Sequence, residues 1–447
     1  MPSKPVAAAP AGALPYATGL HRLLSRLMDI RPAEAAIVGW AGLYIFCLMS
    51  SYYVLRPVRD TLGVEGGVEN LQWLFTGTLV VMIAINPFYA ALVKRFPSRL
   101  FIPVVYLFFV GNIALFAALM HTSSHEVLVW VGRAFFIWTS VFNLFVVSVF
   151  WALMVDLFDS GQGKRLFGAL SAAATVGATL GSTIAATLAR VVSTAGLLTI
   201  AGALLLIAII CVARILRLAQ RVPRLDHVDI REQAVGGGIL SGLTHAVRSP
   251  YLLNIGLYIL LYTITSTFLY FQQATIARDY FSSTASRTAF FASIDLIVNV
   301  LTLVAQLFLT SRVLRRFGVA AAAAFLPVLT VVGFTIFAAV PTMIVLVAFQ
   351  VLRRVGNFGL AKPTRELLFT VIPREDKYKA KNVLDTVVYR LGDQAGSWSY
   401  ALLGMAGLGA AGVAIAAIPI ALLWVGNGIW LGRRHDKLVA QLRNETS

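Results

Sequence analysis

The chain has 447 residues, of which 58% are hydrophobic and 13% are charged, and its formal net charge is +17 at pH 7. A soluble domain has about twice this share of charged residues, and it does not collect its apolar residues into runs of about twenty, the length that crosses a hydrocarbon core. The composition therefore excludes a soluble globular protein and predicts a multi-pass membrane protein. The positive charge requires no nucleic acid partner, because anionic lipid headgroups account for it.

Twelve apolar runs follow one another along the chain. Each is predicted to form a helix, because a segment that faces lipid must satisfy its backbone polar groups internally. The runs are 36–60, 71–93, 100–120, 127–157, 166–189, 194–216, 251–273, 288–311, 319–340, 342–372, 383–409 and 411–432. The predicted domains are an N-terminal tail (1–35), a first six-helix half (36–216), a linker (217–250), a second six-helix half (251–432) and a C-terminal tail (433–447).

The connections between these runs alternate in charge. Cations concentrate in the N-terminal tail, in the second, sixth, eighth and tenth connections and at the C-terminus, whereas the first connection is acidic, with Glu65 and Glu69. By the positive-inside rule, this alternation predicts that both termini and the linker are cytoplasmic.

Spans five and eleven carry the same pair of glycines four residues apart. Gly177 and Gly181 recur 215 residues later as Gly392 and Gly396. Such a pair lets two helices pack closely, which is the simplest explanation of each pair by itself. Their equivalent places in two six-span halves predict the all-α major facilitator architecture, in which the substrate binds between the halves near the midplane.

The same offset maps span four onto span ten. The polar stretch RRVGNFGLAKPTRELLFTVIP is therefore predicted to stay helical as far as residue 372. Pro363 is predicted to kink this helix, since proline removes a backbone donor and clashes with the preceding turn. Arg353 and Arg354 then lie near mid-depth.

Ionisable side chains at membrane depth cost about 2.5–3.5 kcal/mol on insertion scales, so those that remain usually face a cavity or a partner. An arginine fork binds phosphate or carboxylate through two hydrogen bonds. The candidates for substrate binding are Arg56, Arg59, Asp60, Arg133, Tyr270, Arg353, Arg365 and Arg390. Tyr270 is included because its ring would stack on a planar substrate. The candidates for coupling or gating are Asp295, Asp385, Asp393 and Glu366.

These residues also have simpler explanations. Arg390 and Asp393 would only pair with charges on neighbouring helices and hold the halves together. Arg59 would be an interfacial anchor, and Arg56 would extend outward to the headgroups. Tyr270 would contribute to packing alone.

Spacing along the helices leads to two further expectations. Asp385, Tyr389 and Asp393 are four residues apart in turn, so they are predicted to share one helical face. Tyr52 and Trp73 lie near predicted helix ends and are expected in the aromatic belts at the membrane surfaces.

The stretch LRPVRDTLGV contains Leu55, Arg56, Arg59, Asp60 and Thr61 near the end of span one. It resembles the ATP/ADP translocase-like nucleotide transporters of intracellular bacteria and plastids, a branch of the major facilitator superfamily, which carry a leucine-arginine pair and then a basic residue followed by Asp and Thr or Val. GVENLQWLFTGT (67–78), GKRLFG (163–168) and KPTRELLFTVIPREDKYKAK (362–381) are also similar to that family. The resemblance therefore covers both halves.

The resemblance implies that Arg59 and Arg365 hold substrate phosphates. It also implies acidic residues before span five and in span seven, where this chain has Gln162 and uncharged residues around Tyr270. This difference indicates a bacterial side branch with a changed cargo. The expected location is the bacterial inner (plasma) membrane.

Three functions are consistent with the sequence. The leading hypothesis is a monomeric secondary active transporter of a small organic anion, with nucleotide exchange as the first specific form, working by rocking of the halves. The alternative is a proton-coupled exporter of a drug, siderophore or peptide, with Asp393 or Asp295 binding the proton. A membrane enzyme is a remote alternative, because the sequence shows no convincing nucleophile–base pair or metal cluster; no cofactor is expected.

Overall fold

The computed structural model of the protein describes residues 34–95, 98–122, 124–158, 160–219, 249–372, 381 and 383–446. These residues form helices joined by short connections, with no strand among them. Most of the predicted N-terminal tail (1–35) and of the predicted linker (217–250) lies outside the described residues.

Twelve helices run through this part of the chain. The first six are α1 (Ala35–Glu65), α2 (Leu71–Arg95), α3 (Ser98–Thr122), α4 (His125–Leu157), α5 (Ser160–Leu188) and α6 (Thr194–Ala219). The last six are α7 (Pro250–Tyr280), α8 (Thr284–Phe308), α9 (Thr310–Ala339), α10 (Met343–Val371), α11 (Tyr389–Met405) and α12 (Ala410–Thr446). Eleven of them are long and apolar enough to cross a membrane. The remaining helix, α11, has 17 residues and directly follows a π-helical turn, Leu384–Val388. The expected all-α membrane fold is confirmed.

The two halves are packed in the same way. In the first half α1 contacts α4, α5 and α6, and in the second half α7 contacts α11 and α12. Between the halves, α5 and α1 contact α8, while α2 contacts α11. In the second half, α8 corresponds to α2 and α11 corresponds to α5. The α5–α8 and α2–α11 contacts are therefore equivalent.

The repeated glycines lie at the closest helix contacts within each half. A Cβ atom on Gly177 or Gly181 would be 2.3 Å from a backbone carbonyl oxygen of α1. A Cβ on Gly392 would be 1.7 Å from Thr263 Oγ1 of α7, and one on Gly396 would be 2.9 Å from Thr267 Cβ. Glycine is therefore needed at each place because the neighbouring helix leaves no room for a side chain.

We expect Gly181→Ala to lower the thermal unfolding temperature of the purified protein. The new methyl group would force α5 away from the Ser50 carbonyl of α1, and overpacking of this kind costs about 1–3 kcal/mol. Gly168→Ala is the matched control, because Gly168 lies on the same helix with no atom within 4 Å of the added Cβ. Equal unfolding temperatures for the two variants would contradict this explanation of the repeat.

Helix α10 contains a π-helical turn just before the proline. An α-helix ends at Gly356, the π-helical turn Asn357–Ala361 follows, and a new α-helix begins at Lys362. Pro363 occupies the first turn of that new helix, where a missing N–H leaves no intrahelical bond unmade. A π-turn thus precedes Pro363; the kink expected at Pro363 stays a prediction.

The two halves are joined by polar contacts at one end of the bundle. We call this the distal end, where α1 and α7 finish, and the opposite end the terminal end, where α1 begins and α12 finishes. At the distal end, the hydroxyls of Thr61 and Thr288 lie 3.0 Å apart, and Glu65 accepts hydrogen bonds from Thr284 at 2.5 Å and Arg287 at 3.4 Å.

Ion pairs near the terminal end join residues within one half. Arg165 pairs with Glu34 at 3.0 Å in the first half, and Lys381 pairs with Glu366 in the second. The described polar contacts between the halves thus concentrate from the distal end to mid-depth.

Candidate substrate cavity between the halves

A cavity of about 230 Å³ lies where the two halves face each other. The first half contributes side chains from α1, α2 and α4, namely Tyr52, Arg59, Phe75, Thr78, Phe136, Ser140 and Asn143. The second half contributes Tyr389, Arg390, Asp393 and Gln394, all from α11. Because both halves form the wall, a solute held here would contact each of them.

Arg59 is held in place by groups on three helices. Its Nε and Nη2 atoms donate to Asp60 Oδ1 at 3.0 Å and 2.6 Å. Its guanidinium carbon lies 4.7 Å from the centre of the Phe136 ring, and Nη1 is 3.5 Å from Ser140 Oγ. The hydroxyl of Tyr270 on α7 donates to the same Asp60 oxygen at 3.0 Å. Asp60 therefore orients Arg59 and connects it to the second half.

The α11 wall carries a second arginine. Arg390 Nη1 donates to Asp393 Oδ2 at 3.1 Å, one helical turn away. The Arg390 side chain is 36% exposed, compared with 15% for Arg59. Both arginines have a carboxylate partner, and the larger exposed fraction makes the Arg390 guanidinium the more accessible one for an incoming anion.

The rest of the cavity wall is aromatic and amide-rich. Tyr52 and Tyr389 contribute partly exposed rings, while Asn143 and Gln394 offer both donors and acceptors. Gln394 also accepts a hydrogen bond from Thr76 of α2 at 2.9 Å, which links the walls of the two halves. A wall of rings, amides and arginines suits a planar organic molecule with an anionic group.

Arg365 does not line this cavity. It lies on the terminal side of α10, where its Nη2 atom is 3.5 Å from Asp385 Oδ1. The expected convergence of Arg59 with Arg365 is therefore replaced by a cavity that Arg59 shares with Arg390.

The π-helical turn explains why only part of the predicted α11 face reaches the cavity. Tyr389 and Asp393 line it as expected for residues one turn apart. Asp385 lies within the turn Leu384–Val388 and pairs instead with Arg365. A π-turn contains an extra residue. Residues on opposite sides of the turn therefore do not share a face as α-helical spacing would predict.

Arg56 does not extend outward to the headgroups. Its Nη1 atom pairs with Asp295 Oδ1 of α8 at 3.1 Å, and Arg354 of α10 pairs with the same oxygen at 2.7 Å. The Asp295 side chain is only 3% exposed. This buried triad, Arg56–Asp295–Arg354, joins the first half to two helices of the second and therefore corrects the expectation for Arg56.

Arg353 is buried among neutral groups. Its guanidinium donates to Ser266 Oγ at 2.6 Å, Thr265 Oγ1 at 2.9 Å and the Tyr262 carbonyl at 3.0 Å. It also lies 5.0 Å from the centre of the Tyr262 ring. Arg353 thus stabilises the contact of α10 with α7 and lies outside the cavity wall.

Two further predicted binding residues have structural contacts elsewhere. Arg133 donates to the Gly66 carbonyl at 3.0 Å and lies 4.6 Å from the Trp130 ring, so it closes the distal end of α1. Tyr270 is committed to Asp60, and its ring contacts Phe75.

Most of the uncharged residues of the cavity wall were not among the predicted site residues. Tyr52, expected at the membrane surface, lies two helical turns before Arg59 on the same face of α1. Phe136, Ser140 and Asn143 follow an i, i+4, i+7 pattern on α4. Helical periodicity of polar residues in span four was the signal that would have identified them.

Comparisons with known proteins agree with this architecture. The model of the Major Facilitator Superfamily matches residues 35–376 of the chain. The chain is 22% identical to "ADP,ATP carrier protein 1" of Chlamydia muridarum (strain MoPn / Nigg), over 84% of this chain and 83% of that protein. The resemblance to ATP/ADP translocase-like proteins is thereby confirmed at the level of sequence.

Solved transporters share the fold. A bacterial homologue of the iron transporter ferroportin, in an inward-facing state, matches with a TM-score of 0.64 and 14% identity, over 89% of this chain and 98% of that chain. The nucleoside transporter NupG matches with a TM-score of 0.51 and 14% identity, over 92% of this chain and 99% of that chain. Because the family model spans more than half of its residues, this chain belongs to the Major Facilitator Superfamily.

Proposed function

We propose that this protein is a secondary active transporter that carries an organic anion by alternating access. The observation that supports this best is the cavity shared by the halves, with Arg59 on one wall and Arg390 on the other. Arginine remains charged at every physiological pH and binds carboxylate or phosphate in a fork. Rocking of the halves about such a cavity would expose it to each side of the membrane in turn.

Nucleotide is the first cargo to test. The sequence similarity to ADP,ATP carriers supports it, as do the rings and amides around the two arginines. Gln162 stands where the resemblance implies an acid, but its side chain donates to Glu34 at 2.8 Å, beside Arg165. A carboxylate is thus present next to this position, supplied by the start of α1.

An exchange mechanism follows from the charge in the cavity. If the halves closed around an empty cavity, Arg390 would lose contact with water while only Asp393 compensated it. Even a paired arginine and carboxylate lose hydration when they are removed from water, at a cost of several kcal/mol per ion. A bound anion would offset this cost, so we expect the loaded carrier to reorient faster than the empty one.

The polar contacts at the distal end suggest which side the cavity faces. They close the distal end, which leaves the terminal end as the route to the cavity. With both termini cytoplasmic in a bacterial inner membrane, as the charge distribution predicts, this conformation is inward-facing.

Thermal stabilisation of the purified protein by a panel of solutes tests the proposal. Nucleotides, dicarboxylates, neutral nucleosides and peptides are compared at matched concentrations, since a ligand that binds the folded state raises the unfolding temperature. We expect one class of anionic solute to raise the unfolding temperature and its neutral analogues to leave the temperature unchanged. Stabilisation by peptides alone would overturn the organic-anion assignment.

A proton-coupled exporter is the second candidate, and the position of Asp393 favours it. This carboxylate lines the cavity and is 13% exposed, so it could exchange its Arg390 partner for a proton. We expect Asp393→Asn to retain counter-substrate exchange if the protein is an exchanger. Transport in proteoliposomes that requires a pH gradient in the wild type and fails in Asp393→Asn would favour the exporter instead.

A further inference from the structure

A second cavity, of about 800 Å³, opens at the terminal end and belongs to the second half alone. We call it the terminal groove. Its walls are the start of α7 around Tyr251 and Leu252, the end of α10 at Ile372, and α12 from Gly426 to Leu438. Because none of the described lining residues comes from the first half, opening and closing of the central cavity would leave it intact.

The terminal groove is divided into an apolar part and a basic part. Leu252, Ile372 and Ile429 form apolar wall, and Trp430 lies on α12 at the level where the apolar run ends. One turn further along α12, Arg433, Arg434 and Lys437 project from the same cavity wall. The groove therefore changes from apolar to cationic within one or two helical turns, as the membrane does from acyl chains to headgroups.

The three cations are available to a ligand. All three side chains are exposed, and no ion pair is found for them within the described part of the chain. Among the described residues, no acid lines the groove; Asp436, the nearest described acid on α12, is 3.4 Å from His435 Nδ1. The described lining thus carries a net charge of +3, from two arginines and one lysine.

We propose that the terminal groove binds an anionic phospholipid, with the phosphate at Arg433, Arg434 and Lys437 and an acyl chain along the apolar wall. Charge complementarity selects an anion, and the apolar wall selects one attached to a hydrocarbon chain. Arginine forks favour a phosphate group, and clustered basic residues beside a membrane helix favour anionic lipids. The site would anchor the second half to its leaflet while the first half moves.

The test is a titration of the purified full-length protein in detergent with phosphatidylglycerol, followed by thermal unfolding. Phosphatidylcholine and glycerol 3-phosphate are titrated in parallel. We expect saturable stabilisation by phosphatidylglycerol and none by the other two at the same concentrations. Equal stabilisation by glycerol 3-phosphate would overturn the lipid assignment in favour of a soluble phosphate site.

The variant Arg433→Gln/Arg434→Gln/Lys437→Gln should bind phosphatidylglycerol roughly 100-fold more weakly, since each basic side chain near a headgroup contributes about a fivefold factor. The matched control is Arg214→Gln/Arg217→Gln, which removes two exposed cations from α6, the equivalent helix of the first half. We expect the control to retain wild-type affinity. Equal losses of phosphatidylglycerol affinity in both variants, or no loss in the triple variant, would overturn the proposed site.

A second measurement does not depend on the folding of the triple variant. Phosphatidylglycerol with brominated acyl chains should quench tryptophan fluorescence through Trp430, which is 40% exposed. We expect the quenched fraction to fall in Trp430→Phe. The same quenching in wild type and Trp430→Phe would show that no acyl chain occupies the groove.

Discussion

Asp295→Asn is expected to destabilise the protein and to loosen the contact between the halves. The carboxylate forms ion pairs with Arg56 at 3.1 Å and with Arg354 at 2.7 Å, and it is almost fully buried. An asparagine in its place would leave two arginines side by side without a counter-ion. Breaking a buried ion pair by removing one partner costs about 3–5 kcal/mol.

Two measurements check this expectation. Thermal unfolding should occur at a lower temperature, and spin labels on Glu126→Cys and Tyr280→Cys, at the distal ends of the two halves, should move apart. Asp279→Asn is the matched control, because Asp279 is exposed and pairs with Arg278 on the same helix at 2.9 Å; such pairs contribute at most about 1 kcal/mol. Unchanged stability and label distance in Asp295→Asn would show that the triad does not hold the halves together.

The second large effect is expected for Arg59→Gln, which should weaken binding of the anion at least roughly 30-fold. Truncating one member of a buried, hydrogen-bonded charge pair costs about 2–5 kcal/mol of binding energy, and 1.4 kcal/mol corresponds to tenfold. Arg59→Lys keeps the charge but loses the fork, so its affinity should lie between wild type and Arg59→Gln. Affinity is measured from the ligand dependence of the unfolding temperature.

Arg59→Gln leaves the buried Asp60 carboxylate without its cation, although Asp60 still accepts from Tyr270 at 3.0 Å, so the unfolding temperature of each variant without ligand is measured first. Arg133→Gln is the control: Arg133 is also buried in part, but it bonds to the Gly66 carbonyl away from the cavity. We expect Arg133→Gln to bind the anion as the wild type does. Equal affinity losses in both variants would indicate that Arg59 acts only through stability.

The helices could be predicted because each membrane span must be apolar and satisfy its own backbone. Even α10, with its polar stretch, was predicted by the offset from α4. The π-turns Asn357–Ala361 and Leu384–Val388 could not be predicted, because an added residue in a helix depends on the packing around it and not on local spacing. The first of these turns lies just before Pro363, and the second contains Asp385, which pairs with Arg365 outside the cavity.

The charged residues of the site were found because charge is expensive at membrane depth. Arg59, Arg390 and Asp393 were selected on this basis, and all three line the cavity. Their partners were not predictable, since pairing across helices depends on how each helix is rotated about its axis. Arg56 illustrates this: its charge was noticed, but its pairing with Asp295 required the structure.

Protection of a single introduced cysteine tests the central claim most directly. Ser140 lies on the cavity wall, and the two natural cysteines, Cys47 and Cys211, are buried. A methanethiosulfonate reagent should therefore modify Ser140→Cys selectively, with Ser124→Cys as an exposed control outside the cavity.

If the anion binds between the halves, the solute that stabilises the protein should slow modification of Ser140→Cys and leave Ser124→Cys unaffected. An unchanged rate at Ser140→Cys under saturating concentrations of that solute would contradict binding in the cavity formed by Arg59 and Arg390.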